Sequence, residues 1–337
     1  MKDNKKIIFL CIAGKKYGLG HVQRSLKIAR KICTKDKNIK INFITIAENS
    51  KEIIKKRIMP FALRFVPDKK TEISKAINEL NPNLLIIDRL SFDSSFFKKR
   101  NYKIITLDND SKGADVYINI LKYHSFKNNK KEFNGYQYWA IEKPRKRKSV
   151  KTLGKIKRIL ISCGYTDPSR LTLKITKNLI NYYSCYSTKI KFIPKITCVI
   201  TKAYSSDIEE KLRKVKNNIV ILKDLKNLNK EILNTDLCIV TGGNTLFESV
   251  ASAVPTLVIP YGNANDQISN ILEKKGFVIK TKIDCPDKEF YTIFESLSAN
   301  NLRKLCKQCK KFDGFGMKKI VKIIFKNLYN TKIKNEG

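Results

Sequence analysis

Short apolar runs alternate along the chain with segments whose apolar residues recur at helical spacing. In the first half the runs at 7–13, 41–46, 63–66, 84–88, 104–108 and 116–120 each predict a strand. Helical periodicity lies between several of them, most clearly over 20–33 and 71–80. The alternation restarts later, with strands predicted at 158–163, 196–201, 218–222, 237–241 and 256–260. Helices are predicted over 169–182, 207–215, 245–253 and 266–275. Strands alternating with helices require right-handed crossovers, hence a parallel sheet in each half. In doubly wound sheets the ligand sits beyond the carboxyl ends of the strands, so the loops at those ends carry the argument.

A chain of 337 residues suggests two domains at roughly 150 residues each. Between the two periodic halves runs Lys143-Pro-Arg-Lys-Arg-Lys-Ser-Val-Lys-Thr-Leu-Gly154, a solvated, Pro-containing basic segment that reads as a linker. The expected organisation is a first domain over 1–143, a linker over 144–155 and a second domain over 156–337. The last helix of the second domain is a candidate to return to the first. Residues 7–13 follow lysines, as in a signal peptide, but the run is short and lacks a small-residue cleavage site. It reads as a buried first strand, and a cytoplasmic protein is expected.

Charge changes the picture less than its size suggests. Sixty-nine Lys and Arg against 30 Asp and Glu give a net charge of +39, enough to raise nucleic acid as a partner. The excess is spread evenly, +21 over 1–150 and +18 over the rest, and most of it is lysine beside abundant Asn and Ile. That is a biased, solvated surface. It favours anionic ligands in general and admits weak peripheral contact with an anionic membrane. No zinc-finger spacing or aromatic RNA-binding signature supports nucleic acid, which is not an expected partner. Nine cysteines at irregular spacing suggest a reducing compartment. Cys11, Cys163, Cys198 and Cys238 lie in or beside apolar runs as small core residues. Cys306-Gln-Lys-Cys309 has no second pair to complete a zinc site and reads as helical spacing on an amphipathic segment. No metal and no cofactor are expected.

Two strand-end loops carry chemistry. The first is Gly14-Lys-Lys-Tyr-Gly-Leu-Gly-His21-Val-Gln-Arg24, opening into a helix. Gly18 and Gly20 permit close backbone approach, the helix start offers N–H donors, and His21 can take a proton near neutral pH. A dinucleotide loop would want a third glycine near Gln23, which is missing. A tight turn with a solvent-facing histidine is the plain alternative. The other histidine, His124, reads as a surface residue. The second loop is Gly242-Gly243-Asn244-Thr245-Leu-Phe-Glu248, where a strand breaks into two glycines and a helix capped by Asn244 or Thr245. Amides there suit a diphosphate, and Glu248 lies where it could reach ribose hydroxyls. The plain alternative is a well-capped strand–helix turn. A third loop, Pro260-Tyr-Gly-Asn-Ala-Asn-Asp266-Gln267, precedes the next helix.

These residues resemble a known family. Gly-Gly-Asn-Thr-x-x-Glu at 242–248, Ala-Val-Pro-Thr-Leu-Val-Ile-Pro at 253–260 and Asp266-Gln267 are similar to the nucleotide-sugar half of metal-independent GT-B glycosyltransferases, such as the peptidoglycan N-acetylglucosaminyltransferase. Further segments resemble the UDP-2,4-diacetamido-2,4,6-trideoxy-β-L-altropyranose hydrolases of pseudaminic acid biosynthesis, with their spore-coat polysaccharide relatives. These are Gly18-Leu-Gly-His21-Val-Gln-Arg24, Ile86-Ile-Asp88, Thr106-Leu-Asp108, Gly135-Tyr-Gln-Tyr138-Trp-Ala, Gly164-Tyr-Thr-Asp167-Pro-Ser-Arg and Asp313-Gly-Phe-Gly316. Their order holds across nearly the whole chain. Arg89-Leu90, Tyr165 and Ser25 depart from that family's pattern, and the first two leave the exact sugar open.

The resemblance implies an α/β fold of two Rossmann-like parallel-sheet domains facing across a cleft, the GT-B type. It implies hydrolysis of a UDP-linked diacetamido-trideoxy sugar, in nonulosonic acid or surface polysaccharide synthesis. His21 carries over as the catalytic base that activates water, with inversion at the anomeric carbon. Gly18, Gly20, Arg24, Asp88, Tyr138, Asp167, Gly243, Asn244, Thr245, Glu248, Asp266 and Gln267 carry over as substrate contacts. The alternative is a glycosyltransferase moving a UDP-activated amino sugar onto a glycan or lipid-linked acceptor. A non-catalytic sugar-nucleotide sensor would keep 243–248 and dispense with His21.

Overall fold

A computed structural model describes residues 4–14, 17–47, 51–89, 93, 97, 100–108, 113–120, 131–141, 156–186, 192–215, 219–225, 227–281 and 287–329. The chain divides into two compact units, one of Met1–Glu142 with Phe315–Gly337 and one of Lys143–Gly314. The expected linker at 144–155, Lys15-Lys16, Leu90 and His124 lie outside the described residues.

The first unit holds β1 (Lys6–Ala13), α1 (Gly20–Lys35), β2 (Lys40–Ala47), α2 (Lys51–Ile58), β3 (Ala62–Phe65), α3 (Lys70–Leu80), β4 (Leu84–Asp88), β5 (Lys103–Leu107), β6 (Val116–Asn119) and β7 (Glu132–Asn134). Its seven strands are all parallel, in the order β3-β2-β1-β4-β5-β6-β7. Helices cover both faces of such a sheet, which explains why β1 and β4 are almost unbroken apolar runs. α3 shows the matching logic: Ile73, Ala76 and Ile77, at i, i+3 and i+4, bury one stripe against Ile8, Leu10, Leu85 and Ile87.

The second unit holds β8 (Arg158–Ser162), α4 (Leu171–Asn181), β9 (Lys195–Ile200), α5 (Asp207–Arg213), β10 (Ile219–Lys223), α6 (Asn229–Leu233), β11 (Leu237–Val240), α7 (Gly243–Ala251), β12 (Thr256–Val258), α8 (Asn263–Lys274), β13 (Ile279–Lys280), α9 (Asp287–Ser296) and α10 (Ala299–Cys309). Its six parallel strands run β10-β9-β8-β11-β12-β13. In both sheets the order in which strands are added reverses beside the first strand, between β1 and β4 and between β8 and β11. Those reversals are where a doubly wound sheet opens a crevice.

The final helix, α11 (Gly316–Tyr329), belongs to the first unit. It buries Met317, Ile320, Val321, Ile324 and Leu328, and its Tyr329 hydroxyl donates to Asp36 at 2.5 Å. Gly316 has to be small. A Cβ there would lie 1.9 Å from the carbonyl oxygen of Trp139, so two sequence motifs 177 positions apart meet at this contact.

Every strand expected from the apolar runs is present, within a few residues at its ends. The extra elements were harder to see. α2 is mostly charged and buries only Ile54 and Ile58, while β7 and β13 are three and two residues long. Cys306 and Cys309 are buried on α10, their thiols donating to the carbonyls of Ala253 and Phe277 at 3.0 and 3.1 Å, so the pair is packing. Among the described residues no helix is long and apolar enough to cross a membrane.

Candidate functional site

At the reversal of the first sheet, β1 ends in a short loop closed by two backbone hydrogen bonds between Gly14 and Gly18, at 3.2 and 2.7 Å. Gly18 takes φ +65, a conformation glycine adopts without penalty. α1 then starts at Gly20, and His21, Arg24 and Ser25 lie on one face of it by their i, i+3, i+4 spacing. That face meets Asp88, the last residue of β4, which pairs in register with Cys11 of β1.

Asp88 is fully buried and its carboxylate is saturated. Oδ1 accepts from His21 Nδ1 at 2.7 Å and from an Arg24 terminal nitrogen at 2.5 Å. Oδ2 accepts from Arg24 Nε at 3.0 Å and from the Ser25 hydroxyl at 2.8 Å. The remaining Arg24 nitrogen pairs with Asp108 Oδ2, and Asp108 Oδ1 accepts from the Ile120 amide at 2.6 Å. Burial alone pushes the Asp88 carboxyl up, but the Arg24 charge and the hydrogen bonds from His21 and Arg24 outweigh it and hold it at about 2. An ionised carboxylate only accepts, so Nδ1 of His21 is the donor, and in the neutral ring the lone pair lies on Nε2. The ring is 16% exposed.

Two of the expected substrate contacts, Asp88 and Arg24, are engaged within the protein. Asp88 has no accessible surface and no lone pair left for a sugar, and Arg24 is buried with its guanidinium committed to two carboxylates. Both stand behind His21. Arg89 is held bidentate by Asp68, at 2.8 and 3.2 Å. Tyr138 sits in a short 3-10 turn, half-buried, its ring edge-on to Phe133 at 5.7 Å.

The reversal of the second sheet is built from backbone. After β11, Gly242 (φ +122) is the N-cap of α7 and Gly243 (φ +64) its first residue. The expected cap by Asn244 or Thr245 is therefore corrected: both are inside the first turn, and no side chain caps it. A Cβ on Gly242 would strike Asn265 at 2.6 Å, whereas space over Gly243 is open to 4 Å. Glu248 lies half-buried one turn in. α8 repeats the design, with Gly262 (φ +81) as N-cap and no side-chain cap.

Two other expected contacts are otherwise engaged. Asp167 is buried and caps α4, its two oxygens accepting from the Leu171 and Thr172 amides at 2.8 and 2.9 Å. Asp266 pairs with Lys280 Nζ at 2.8 Å and accepts from Asn270 at 3.1 Å, while keeping 47% of its side chain exposed. Gln267 beside it is exposed.

No family model matches the chain. An uncharacterized protein of Methanocaldococcus jannaschii is 26% identical over 311 residues, which cover 86% of this chain and 62% of that protein. The chain thus spans less than two thirds of that relative's length. Among solved structures, MurG of Acinetobacter baumannii matches with a TM-score of 0.69 at 13% identity, over 95% of this chain and 99% of that one. The calicheamicin glycosyltransferase CalG4 matches at 0.64 and 10%, over 98% and 100%. MnaA of S. aureus, solved with UDP, matches at 0.62 and 12%, over 96% and 97%. The fold is GT-B. In this GT-B chain each sheet reversal carries one of the sequence-predicted loops. Sequence reasoning missed the ties from Ser25 and Asp108. The signal for Ser25 was there in its spacing of four from His21, and Asp108 stands one residue past a strand, where a carboxylate faces the reversal.

Proposed function

We propose that the chain is an enzyme that acts on a UDP-linked amino sugar, with His21 as general base for a hydroxyl that attacks the anomeric carbon. The observation that carries this reading is the buried Asp88 on Nδ1 of His21, which leaves Nε2 as the proton acceptor of the neutral ring. The proton of the attacking hydroxyl passes to Nε2 as the new bond forms, and Asp88 stabilises the imidazolium that results. General-base help of this kind contributes typically ~10²–10⁴-fold. The departing UDP is already acidic and needs charge stabilisation rather than a proton. The amides of the first turn of α7 and the helix dipole supply donors suited to it. Asn244, Thr245, Gly243 and Glu248 are the nucleotide contacts, with Asp266 and Gln267 toward the sugar. Direct displacement inverts the anomeric centre.

Transfer to a hydroxyl acceptor is the preferred reading, supported by the glycosyltransferases among the structural neighbours. Hydrolysis of a UDP-diacetamido sugar is the second reading, supported by the order of the Gly18–Arg24, Tyr138 and Asp313–Gly316 motifs along the chain. The test is a panel of UDP-amino sugars in ¹⁸O-water, with and without glycan and lipid-linked acceptors, followed by mass spectrometry. Turnover that requires an acceptor supports transfer. Acceptor-free release of sugar labelled at its anomeric oxygen moves the assignment to hydrolysis. Label in UDP indicates attack at phosphorus and overturns both.

A further inference from the structure

Four ionisable side chains converge where the first sheet reverses: His21 and Arg24 from α1, Asp88 from β4 and Asp108 from the end of β5. Cys11 of β1 also faces them. Burial first, and then the Asp88 charge, push its thiol well up, so it stays neutral. A guanidinium is permanently charged and its planar fork pairs two oxygens at once. The cluster therefore holds two carboxylates against one guanidinium, a net charge of −1 with the ring neutral and zero with the ring protonated.

The division of Arg24 matters. Nε and one terminal nitrogen lie on Asp88, and the other terminal nitrogen lies on Asp108. Asp108 is itself anchored by the Ile120 amide, so it is a built partner rather than a chance one. We propose that Arg24 and Asp108 are positioning residues that act on His21 in opposite directions through Asp88. Arg24 draws the Asp88 charge away from the ring. Asp108 draws the Arg24 charge away from Asp88 and returns part of that hold. With Asp88 unshared, its whole charge would act on the ring and favour the imidazolium over the free base. With Arg24 spent wholly on Asp88, the imidazolium forming in the transition state would lack its counter-charge. The proposal rests on His21 as the base.

The chain has two histidines, so its ring NMR signals are assignable with His21→Asn. The titration midpoint of the His21 ring is read in wild type, Arg24→Gln, Asp108→Asn and Arg24→Lys. We expect Arg24→Gln to move it to higher pH by about one unit and Asp108→Asn to move it to lower pH, with Arg24→Lys restoring it toward wild type. A purely structural role for these residues predicts no opposed shifts. Midpoints that stay put, or move in the same direction in both variants, overturn the proposal. If Arg24→Gln does not fold, Asp108→Asn decides alone: a fall supports the proposal, and no change or a rise overturns it. The acid limb of the kcat/KM profile separates this from the base reading. A limb that ignores shifted ring midpoints shows that His21 is not the base, while the opposed coupling stands.

Discussion

The two sheet reversals are built from different materials, and on the proposed reading they serve different chemistry. At β1–β4 the protein buries ionised side chains and saturates them with hydrogen bonds, so that a single ring nitrogen is left with an unshared pair. At β8–β11 it removes side chains, and two glycines with positive φ bring bare backbone amides to the helix start. A base needs one atom held in one tautomer, which here the buried Asp88 carboxylate fixes through Nδ1. A diphosphate needs several donors at short range, which backbone supplies without the cost of desolvating a charge. On the proposed reading the same topology serves a side-chain site in one unit and a main-chain site in the other.

Substitutions break this comparison along predictable lines. His21→Asn removes the basic ring nitrogen while leaving a competent residue at the helix start, so kcat falls by roughly 10²–10⁴ and UDP affinity stays within a few fold. Turnover near wild type would remove His21 from the chemistry. Glu248→Ala acts on the other unit and does the reverse, weakening UDP by about 1.5–3 kcal/mol, or roughly ten- to a hundredfold, when titrated calorimetrically. An unchanged affinity removes Glu248 from the nucleotide site.

Acid exposes the same contrast in stability. Asp88 titrates at about 2 in the fold against an ordinary 3.8, so it binds fewer protons folded than unfolded. Its contribution is complete above about pH 4 and is lost as pH falls toward 2, a difference of about 2 kcal/mol. Denaturation of wild type and Asp88→Asn across that window should show their gap closing, and a constant gap would contradict the ionised, buried carboxylate. The smallest expected effect is that of a chelator. EDTA leaves turnover unchanged on this account, and full loss with recovery by magnesium would overturn the metal-independent reading.

Much of this was legible in the sequence. A parallel strand covered on both faces is an apolar run, so 7–13, 84–88 and 237–241 declare themselves. His21 and the Gly242-Gly243 turn stand at strand ends, where the topology puts ligands. Partner choice was not legible, because it depends on atoms brought together over long separations. Asp88 ends a strand and Asp167 follows one, yet one is spent on His21, Arg24 and Ser25 and the other on the amides of α4. Lys280, which holds Asp266, lies 14 positions away on a two-residue strand that no periodicity reveals. The cap of α7 was misplaced for a local reason: Gly242 and Gly243 take positive φ, which lets the helix begin before its first capping side chain.

The anomeric configuration of the product tests the central claim most directly. A held imidazole that deprotonates a hydroxyl during direct displacement predicts inversion, whether the hydroxyl belongs to water or to an acceptor. Proton NMR of the product within the first turnovers, before mutarotation of any free sugar, reads the configuration. An inverted anomer is the expected result. Retention would require a covalent or front-face route and would contradict His21 as the base of a single displacement.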